Sequence, residues 1–350
     1  MKKKVLALLL VTVMVLAVFS ACGKETPAET APESEPVAEE TPEAQEAEEE
    51  EAEAPAEQQF VIGFSQLGAE SGWRTAETES IKSACEADPN VELIFSDAQQ
   101  QQEDQVKAIR SFIQQEVDII AMAPVVETGW DTVLGEAKEA GIPVVLVDRG
   151  IDTEDESLYT TLMSSDFVYE GEKAAEYIVN RFGEDAEVNI VELQGTVGAS
   201  AATERMEGFA NYIADYSGYE IIASQTGDFT RSLGKEVMEA FLKSYGDTID
   251  VLYAHNDDMA LGAIEAIKEY GLDPGDDIII VSIDGVKGAF EAIAAGDMNC
   301  TVECTPLYGP PLIDVSKKIL AGESVEKWIQ AEDRVFADED AVAELPNRVY

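Results

Sequence analysis

Three apolar runs in this chain end abruptly at polar residues. Residues 144–147, 251–254 and 278–283 are almost wholly apolar, which is typical of parallel strands buried on both faces. The polar residues that follow them are Asp148-Arg149, His255-Asn256-Asp257-Asp258 and Asp284-Gly285. In open α/β sheets, ligands bind just outside the carboxyl ends of such strands. Asp, Asn and Arg there can hydrogen-bond a ring of hydroxyl groups, so the pattern predicts a ligand cleft between two lobes.

Strands and helices alternate after residue 59. Strands predicted over 60–64, 91–95 and 117–122 alternate with helices over 73–86, 103–114 and 128–140. This rhythm predicts an α/β fold of parallel sheets with helices on both faces. It breaks at an extended segment over 158–163 and then restarts with a helix over 167–182 and a strand over 188–193.

The break predicts a first crossover to a second, similar lobe. A second crossover is predicted near 301–305, and a helix over 309–320 would return the chain to the first lobe. A strand over 328–336 would form the third. The first lobe would then comprise residues 59–164 and 305–332, and the second lobe residues 165–304 and 333–350.

The N-terminus has the pattern of an export signal. Three lysines precede an apolar run over 5–19, which is followed by Ser20, Ala21 and Cys22. This order resembles the bacterial lipoprotein signal, which implies removal of residues 1–21 and lipidation of Cys22. Phe19 departs from that signal's usual leucine. The alternative is an ordinary signal peptide cut near Ala21, leaving a free thiol.

Acidic residues dominate the chain. Residues 24–58 hold 14 Glu and one Lys, which predicts that residues 22–58 form a disordered tether; an acidic interaction tail is the alternative. With 14 of the 71 acidic residues and four of the 23 Lys and Arg in the first 58 residues, the remainder carries a formal net charge of −38. This excludes nucleic acid as a partner, and it favours membrane contact through the lipid anchor only.

The sequence predicts no metal and no cofactor. Cys85, Cys300 and Cys304 form no CxxC or Cys/His pattern, and His255 is the single histidine. Four residues of strand separate Cys300 from Cys304 by about 13 Å, too far for a disulfide.

Several candidate residues have a second, purely structural interpretation. Trp73 and Phe229 could cover the apolar face of a sugar or pack in the core. Asp148 and Arg149 could form a structural ion pair, and Arg205 and Arg231 could be surface residues. Ser71 or Gly72 could cap a helix, and so could one of the paired carboxylates Asp257 and Asp258. The segment 195–200 could bind an anion but is more typical of a tight turn.

Taken together, the segments GFSQLGAESGWRTAET, VDRGID, SQTGDFTRSLGKEVMEAF and YAHNDDMALGAIEAIKEYGL resemble the bacterial periplasmic sugar-binding proteins of the ribose-binding type. The resemblance covers about residues 60–350, and within this family it is greatest to the galactofuranose-binding member. It implies a type I fold, in which two Rossmann-like, doubly wound lobes are joined by three crossover strands. Such lobes close on a sugar by hinge motion.

The resemblance also implies a set of ligand-binding residues. They are Glu70, Ser71, Gly72, Trp73, Arg74, Asp148, Arg149, Arg205, Phe229, Asn256 and Asp284. A polar side chain from the second crossover often joins this set, and here it would be Glu303 or Cys304. Ala123 stands where the ribose binder has Asn, which argues against pyranose-type contacts.

These observations predict the extracytoplasmic solute-binding lipoprotein of an ABC sugar importer, on the outer face of a bacterial cytoplasmic membrane. It would be a monomer that binds a monosaccharide, presents it to the permease subunits and performs no catalysis. The expected sugar is galactofuranose, with ribose, galactopyranose or a sugar-sensing receptor role as alternatives. An effector-binding repressor is an alternative from another class of protein. It would carry a basic helix-turn-helix at its N-terminus, where this chain has the pattern of an export signal. A glycosidase using Asp257 and Asp258 is the remaining alternative.

Overall fold

The computed structural model of the protein describes residues 59–350, so the predicted signal peptide, Cys22 and tether lie outside the described residues. In the described part, twelve strands form two six-stranded sheets. The strands are β1 (Phe60–Gln66), β2 (Val91–Asp97), β3 (Ile119–Met122), β4 (Val144–Val147), β5 (Thr161–Ser164), β6 (Val188–Gln194), β7 (Tyr219–Thr226), β8 (Val251–Ala254), β9 (Ile279–Asp284), β10 (Cys300–Glu303), β11 (Trp328–Gln330) and β12 (Val335–Ala337).

The two sheets have the same topology. The first has the strand order β2-β1-β3-β4-β5-β11, and the second has the order β7-β6-β8-β9-β10-β12. All neighbouring strands are parallel except β10 and β12, which are antiparallel. The strand order reverses beside β1 and beside β6, which is the point where ligands bind in doubly wound sheets.

Ten helices cover the sheets within the described residues. They are α1 (Gly72–Ala87), α2 (Gln102–Gln114), α3 (Asp131–Glu139), α4 (Phe167–Phe182), α5 (Ser200–Ile213), α6 (Arg231–Tyr245), α7 (Asp257–Tyr270), α8 (Lys287–Ala295), α9 (Gly309–Leu320) and α10 (Asp338–Glu344). We call the first sheet with α1, α2, α3 and α9 the first lobe, and the second sheet with the other helices the second lobe.

The central strands are buried along their whole length. Every residue of β3, β4, β8 and β9 is buried, which explains why these segments read as continuous apolar runs and do not alternate. Their apolar side chains form the cores of the two sheets, and polar residues are concentrated where the strands end. The apolar residues of the strands therefore form the sheets, and the polar residues at the strand ends are available to contact a ligand.

The chain crosses between the sheets three times: after β5, after β10 and between β11 and β12. The single strand predicted over 328–336 is wrong, because two short strands occupy that span. β11 pairs in parallel with β5 of the first sheet, and β12 pairs antiparallel with β10 of the second. Residues 331–334 connect them. The extended segment predicted over 158–163 is confirmed: it begins where a 3-10 turn, Glu156–Leu158, ends, and it contains most of β5.

Within residues 59–350, no helix has the length and apolar character needed to cross a membrane.

Candidate ligand-binding cleft

The carboxyl ends of both sheets surround one cavity between the two lobes. Twelve residues line it: Glu70, Ser71, Trp73, Arg74, Asp148, Arg149, Ala201, Arg205, Phe229, Asn256, Asp284 and Cys304. Ten of the eleven residues predicted to bind a ligand are in this set. Gly72 is not, although its neighbours on both sides are. Ala201 and Cys304 complete the lining.

Arg74 organises the first lobe's side of the cleft. Its Nε lies 3.1 Å from Glu70 Oε1, its Nη1 2.5 Å from Glu77 Oε2, and its Nη2 2.6 Å from Asp148 Oδ2. Burial alone would lower the pKa of Arg74, but Glu77, Asp148 and Glu70 raise it well above its usual value. Burial raises the pKa of Glu77 to about 6, against the opposing effect of Arg74. Arg74 therefore stays charged and holds three carboxylates in place.

Arg149 has fewer partners. Its Nη1 donates to the Val125 carbonyl at 3.2 Å, whereas Glu70 and Asp148 lie 3.8 and 3.7 Å away. Burial and the nearby Arg74 charge lower the pKa of Arg149 to about 10. Its Nε has no hydrogen-bond partner in the structure, and neither has Glu70 Oε2. A buried donor and a buried acceptor at the cavity wall thus lack partners, an arrangement that a hydroxylated ligand would satisfy.

Arg205 has the corresponding position in the second lobe. It donates from Nε to Glu170 Oε2 at 2.7 Å and from Nη1 to the His255 carbonyl at 2.5 Å, and its Nη2 lies 3.6 Å from Asp284 Oδ1. Burial raises the pKa of Asp284 well above its usual value, although Arg205 opposes the shift. Arg205 is fully buried and paired, so the surface-residue alternative is wrong for it.

Phe229 packs between the two arginines that come from opposite lobes. Its ring centre is 5.1 Å from the Arg149 guanidinium carbon and 6.0 Å from that of Arg205. Gly195 lies beneath the ring, where a Cβ would come within 1.9 Å of Phe229 Cζ. Phe229 therefore packs against the β6–α5 turn, as its structural interpretation requires, and it also lines the cavity, so its contact with a sugar stays a prediction.

Three lining residues have positive φ: Asp148 at 64°, Phe229 at 60° and Asp284 at 126°. Such conformations cost about 1–3 kcal/mol each in non-glycine residues, and they are concentrated at functional sites. The chain thus holds these side chains in strained positions at, or just after, the ends of β4, β7 and β9.

Trp73, Ser71 and Asn256 line the cavity while making structural bonds. Trp73 Nε1 donates to the Cys304 carbonyl at 2.6 Å. Ser71 Oγ caps α1 by accepting from Arg74 N, and Asn256 Oδ1 caps α7 by accepting from Met259 N. Asn256 Nδ2 also donates to the Phe229 carbonyl at 3.1 Å.

The paired carboxylates were predicted to supply a helix cap, and this is wrong because Asn256, one residue earlier, is the cap. Asp257 is buried and accepts from Thr301 Oγ1 at 2.9 Å, from Val286 N at 2.8 Å and from Ser282 Oγ. Asp258 accepts from Gly72 N and from Arg231. Neither carboxylate lines the cavity.

The second crossover contributes Cys304 to the cavity. Glu303 points elsewhere, because it accepts from Arg348 Nη1 at 2.6 Å and from Arg334 Nε at 3.0 Å. Burial raises the pKa of the Cys304 thiol well above its usual value. Ala123 is buried outside the lining, and its carbonyl accepts from Gln105 Nε2.

The two lobes are in contact around the cleft. Besides Gly72 with Asp258, Gly150 N donates to Ser200 Oγ at 3.0 Å, and Glu127 N donates to the Gly198 carbonyl at 2.8 Å. The cleft is therefore closed in this structure. Among residues 59–350, no group of three or more His, Cys, Asp or Glu side chains could hold a metal ion.

The chain matches the family model of the periplasmic binding protein domain over residues 62–324. It is also 48% identical, over 290 residues, to the galactofuranose-binding protein YtfQ of Escherichia coli K12; the match covers 82% of this chain and 91% of that protein. The protein belongs to the periplasmic binding protein family. This confirms the predicted type I fold of two doubly wound lobes.

Two solved structures of this family resemble the protein at similar identity. A Mycobacterium smegmatis protein in complex with β-D-fucofuranose is 53% identical, with a TM-score of 0.80, covering 82% of this chain and 94% of that one. The binding protein of the arabinose ABC transporter from Shewanella sp. ANA-3, bound to α- and β-L-arabinofuranose, is 50% identical. Its TM-score is 0.79, with coverage of 83% of this chain and 95% of that one.

Proposed function

We propose that the protein is the solute-binding component of an ABC sugar importer and that it binds a furanose, galactofuranose in particular. The observation that carries this proposal is the kind of ligand named for its relatives. At 48–53% identity, these are galactofuranose, β-D-fucofuranose and L-arabinofuranose. All three sugars are in the five-membered ring form.

The eleven predicted residues are proposed to act together on the sugar. Asp148, Arg149 and Glu70 would hydrogen-bond hydroxyl groups from the first lobe, and Arg205, Asn256 and Asp284 from the second. Trp73 and Phe229 would cover the ring's apolar faces and exclude water. Ser71, Gly72 and Arg74 would chiefly position the others, because their polar groups are already largely engaged within the protein.

The two partnerless atoms give a physical reason for specificity. Glu70 Oε2 can accept one hydroxyl hydrogen bond and Arg149 Nε can donate another. Galactofuranose carries an exocyclic diol that the pyranose ring lacks, and we propose that this diol engages Glu70. A site built to hydrogen-bond a hydroxyl strongly rejects an analogue that lacks it, because the protein's own polar groups are left unpaired.

Calorimetry with methyl galactofuranosides and methyl galactopyranosides tests this function. Glycosides are needed because free galactose in solution is almost entirely pyranose. We expect the furanoside to bind at least about tenfold more tightly, a difference of about 1.4 kcal/mol. Equal affinity for the two ring forms, or a clear preference for ribose, would reject the galactofuranose assignment.

The protein is extracytoplasmic, and we propose that it is anchored through Cys22 on the outer face of the cytoplasmic membrane. The acidic tether would hold the lobes away from that surface, where a monomer could reach the permease. We propose no catalysis, since Asp257 and Asp258 are occupied by protein donors away from the cavity. Recovery of an unaltered furanoside after long incubation is the expected result.

A further inference from the structure

Asp258 links the two lobes without lining the cavity. Its Oδ2 accepts from the main-chain N–H of Gly72 at 2.7 Å, although the two residues lie in different lobes and 186 positions apart. Gly72 is the first residue of α1, between the lining residues Ser71 and Trp73. Asp258 is the second residue of α7, which is capped by the lining residue Asn256. The contact thus joins two segments of the cavity wall directly.

Arg231 fixes the orientation of this carboxylate. Its Nε and Nη2 both contact Asp258 Oδ1, at 3.1 and 2.9 Å, which leaves Oδ2 directed at Gly72. The Asp258 side chain is only 10% exposed, whereas Arg231 is 53% exposed. The two carboxylate oxygens therefore have separate roles. Oδ1 accepts from Arg231 within the second lobe, and Oδ2 accepts from Gly72 N of the first lobe.

We propose that Asp258 is a closure latch, a positioning residue that slows release of the ligand by holding the cleft shut. A carboxylate that accepts from the first turn of a helix also interacts favourably with the partial positive charge of that end. Opening the cleft must break this contact, and it then leaves Gly72 N–H to water. The contact forms only once the lobes meet, so it acts on the closed state and not on the first encounter with the sugar.

This inference rests on the proposed function, because it supposes that closing accompanies ligand binding. Truncating a partner of a buried charged hydrogen bond mainly changes the dissociation rate, and encounter is governed by other groups. We therefore expect loss of the latch to raise the dissociation rate constant and to leave the association rate constant nearly unchanged. A residue that only supported the fold would not separate the two constants in this way.

The isosteric variant Asp258→Asn is the sharpest test. Asn supplies one acceptor oxygen, whereas Arg231 and Gly72 each donate to a different oxygen of Asp258. In the variant, one of these two donors would therefore face the amide NH₂ group. Stopped-flow fluorescence would follow methyl β-D-galactofuranoside, with Trp73 as the cleft reporter. We expect the dissociation rate constant to rise at least about tenfold and the association rate constant to change less than threefold. Glu265→Gln on the exposed face of the same helix should change neither.

Arg231 gives a second test. Arg231→Gln alone should raise the dissociation rate constant, because the Asp258 carboxylate is then free to turn away from Gly72. In the Asp258→Asn background, the same change should add less than twofold. An Arg231→Gln effect of equal size in both backgrounds would show that Arg231 acts elsewhere, and it would overturn the coupled latch.

A dissociation rate constant within twofold of the wild type in Asp258→Asn would overturn the latch while leaving sugar binding established. If the wild type bound no furanoside, the proposed function would fail instead. The latch would then be tested without ligand, from distances between spin labels at the exposed positions 107 and 243 of the two lobes. Asp258→Asn should reduce the closed population, and an unchanged distribution would overturn the proposal.

Discussion

Trp73 in the first helix donates its indole N–H to the main-chain oxygen of Cys304, the residue that follows the second crossover strand, over 2.6 Å. The bond is buried and spans 231 positions of the chain. It ties a residue of the cavity wall to the connection between the lobes. The geometry of this connection and that of the proposed sugar site are therefore linked through one side chain.

Trp73→Phe should weaken sugar binding. The variant keeps an aromatic ring but leaves the Cys304 carbonyl without its donor, which costs about 1–3 kcal/mol, or roughly 5- to 150-fold in affinity. Calorimetry with the furanoside measures the loss. Trp328→Phe is the matched control, because Trp328 also donates its indole N–H, to Ser164 Oγ at 2.8 Å, but lies outside the cavity lining. Equal losses in both variants would contradict the prediction.

Asp148→Ala should abolish most of the affinity. The change removes an acceptor from the cavity and takes one of three carboxylates from Arg74. Removing one partner of such a pair costs about 2–5 kcal/mol, or roughly 30-fold to several thousandfold in affinity. Thermal stability of the ligand-free protein should change less, and Asp215→Ala on the surface of the second lobe should change neither. Binding within threefold of the wild type would rule out the role proposed for Asp148.

Gly195→Ala should weaken sugar binding by displacing the Phe229 ring. The added methyl group would lie 1.9 Å from Phe229 Cζ, so the ring must move into the space proposed for the sugar. We expect an affinity loss of at least about tenfold, near 1.4 kcal/mol. Gly135→Ala is the control, because no heavy atom lies within 4 Å of its added Cβ, and it should stabilise α3 by up to about 1 kcal/mol. Unchanged affinity in Gly195→Ala would mean that Phe229 does not shape the site.

Asp333 should make stability depend on pH. Burial, together with the nearby Glu170, raises its pKa to about 8, and the hydrogen bond from Ser165 opposes the shift. An unfolded Asp titrates near about 3.9, so between these values the folded state binds more protons. The free energy of unfolding must therefore fall as the pH rises from about 4 through 8. In Asp333→Asn this contribution is absent.

Urea unfolding at several pH values from 4 to 9 measures the effect. The wild type should lose stability across this window relative to Asp333→Asn. Parallel curves for the wild type and Asp333→Asn would show that Asp333 does not titrate in this range.

Cys22→Ala should release the protein from the membrane. Without the thiol there is no site for the lipid, so the protein should appear in the medium or remain as an uncleaved precursor. Fractionation and labelling with palmitate distinguish the wild type from the variant. Palmitate labelling that persists in the variant would exclude Cys22 as the anchor.

The strand ends were predictable because buried parallel strands have a strong apolar signal, and Asp148, Asn256 and Asp284 lie at or within two residues of those ends. Glu77, the third carboxylate on Arg74, was missed, although its i+3 spacing on a helix was a usable signal. The sequence left the choice between Glu303 and Cys304 open. In the structure, Arg334 and Arg348 bind the Glu303 carboxylate away from the cavity, and these contacts have no local sequence signal. The contact between Asp258 and Gly72 had no local signal at all, since only the tertiary fold brings the two segments together.

The charged groups of the cleft have one further consequence. Arg74 and Arg149 contact carboxylates of the first lobe, and Arg205 contacts carboxylates of the second. Each guanidinium therefore keeps its counter-charge when the lobes separate. Neither half of the cleft would therefore have to gain or lose one of these ion pairs if the lobes moved apart, and opening would leave no buried guanidinium without a counter-charge.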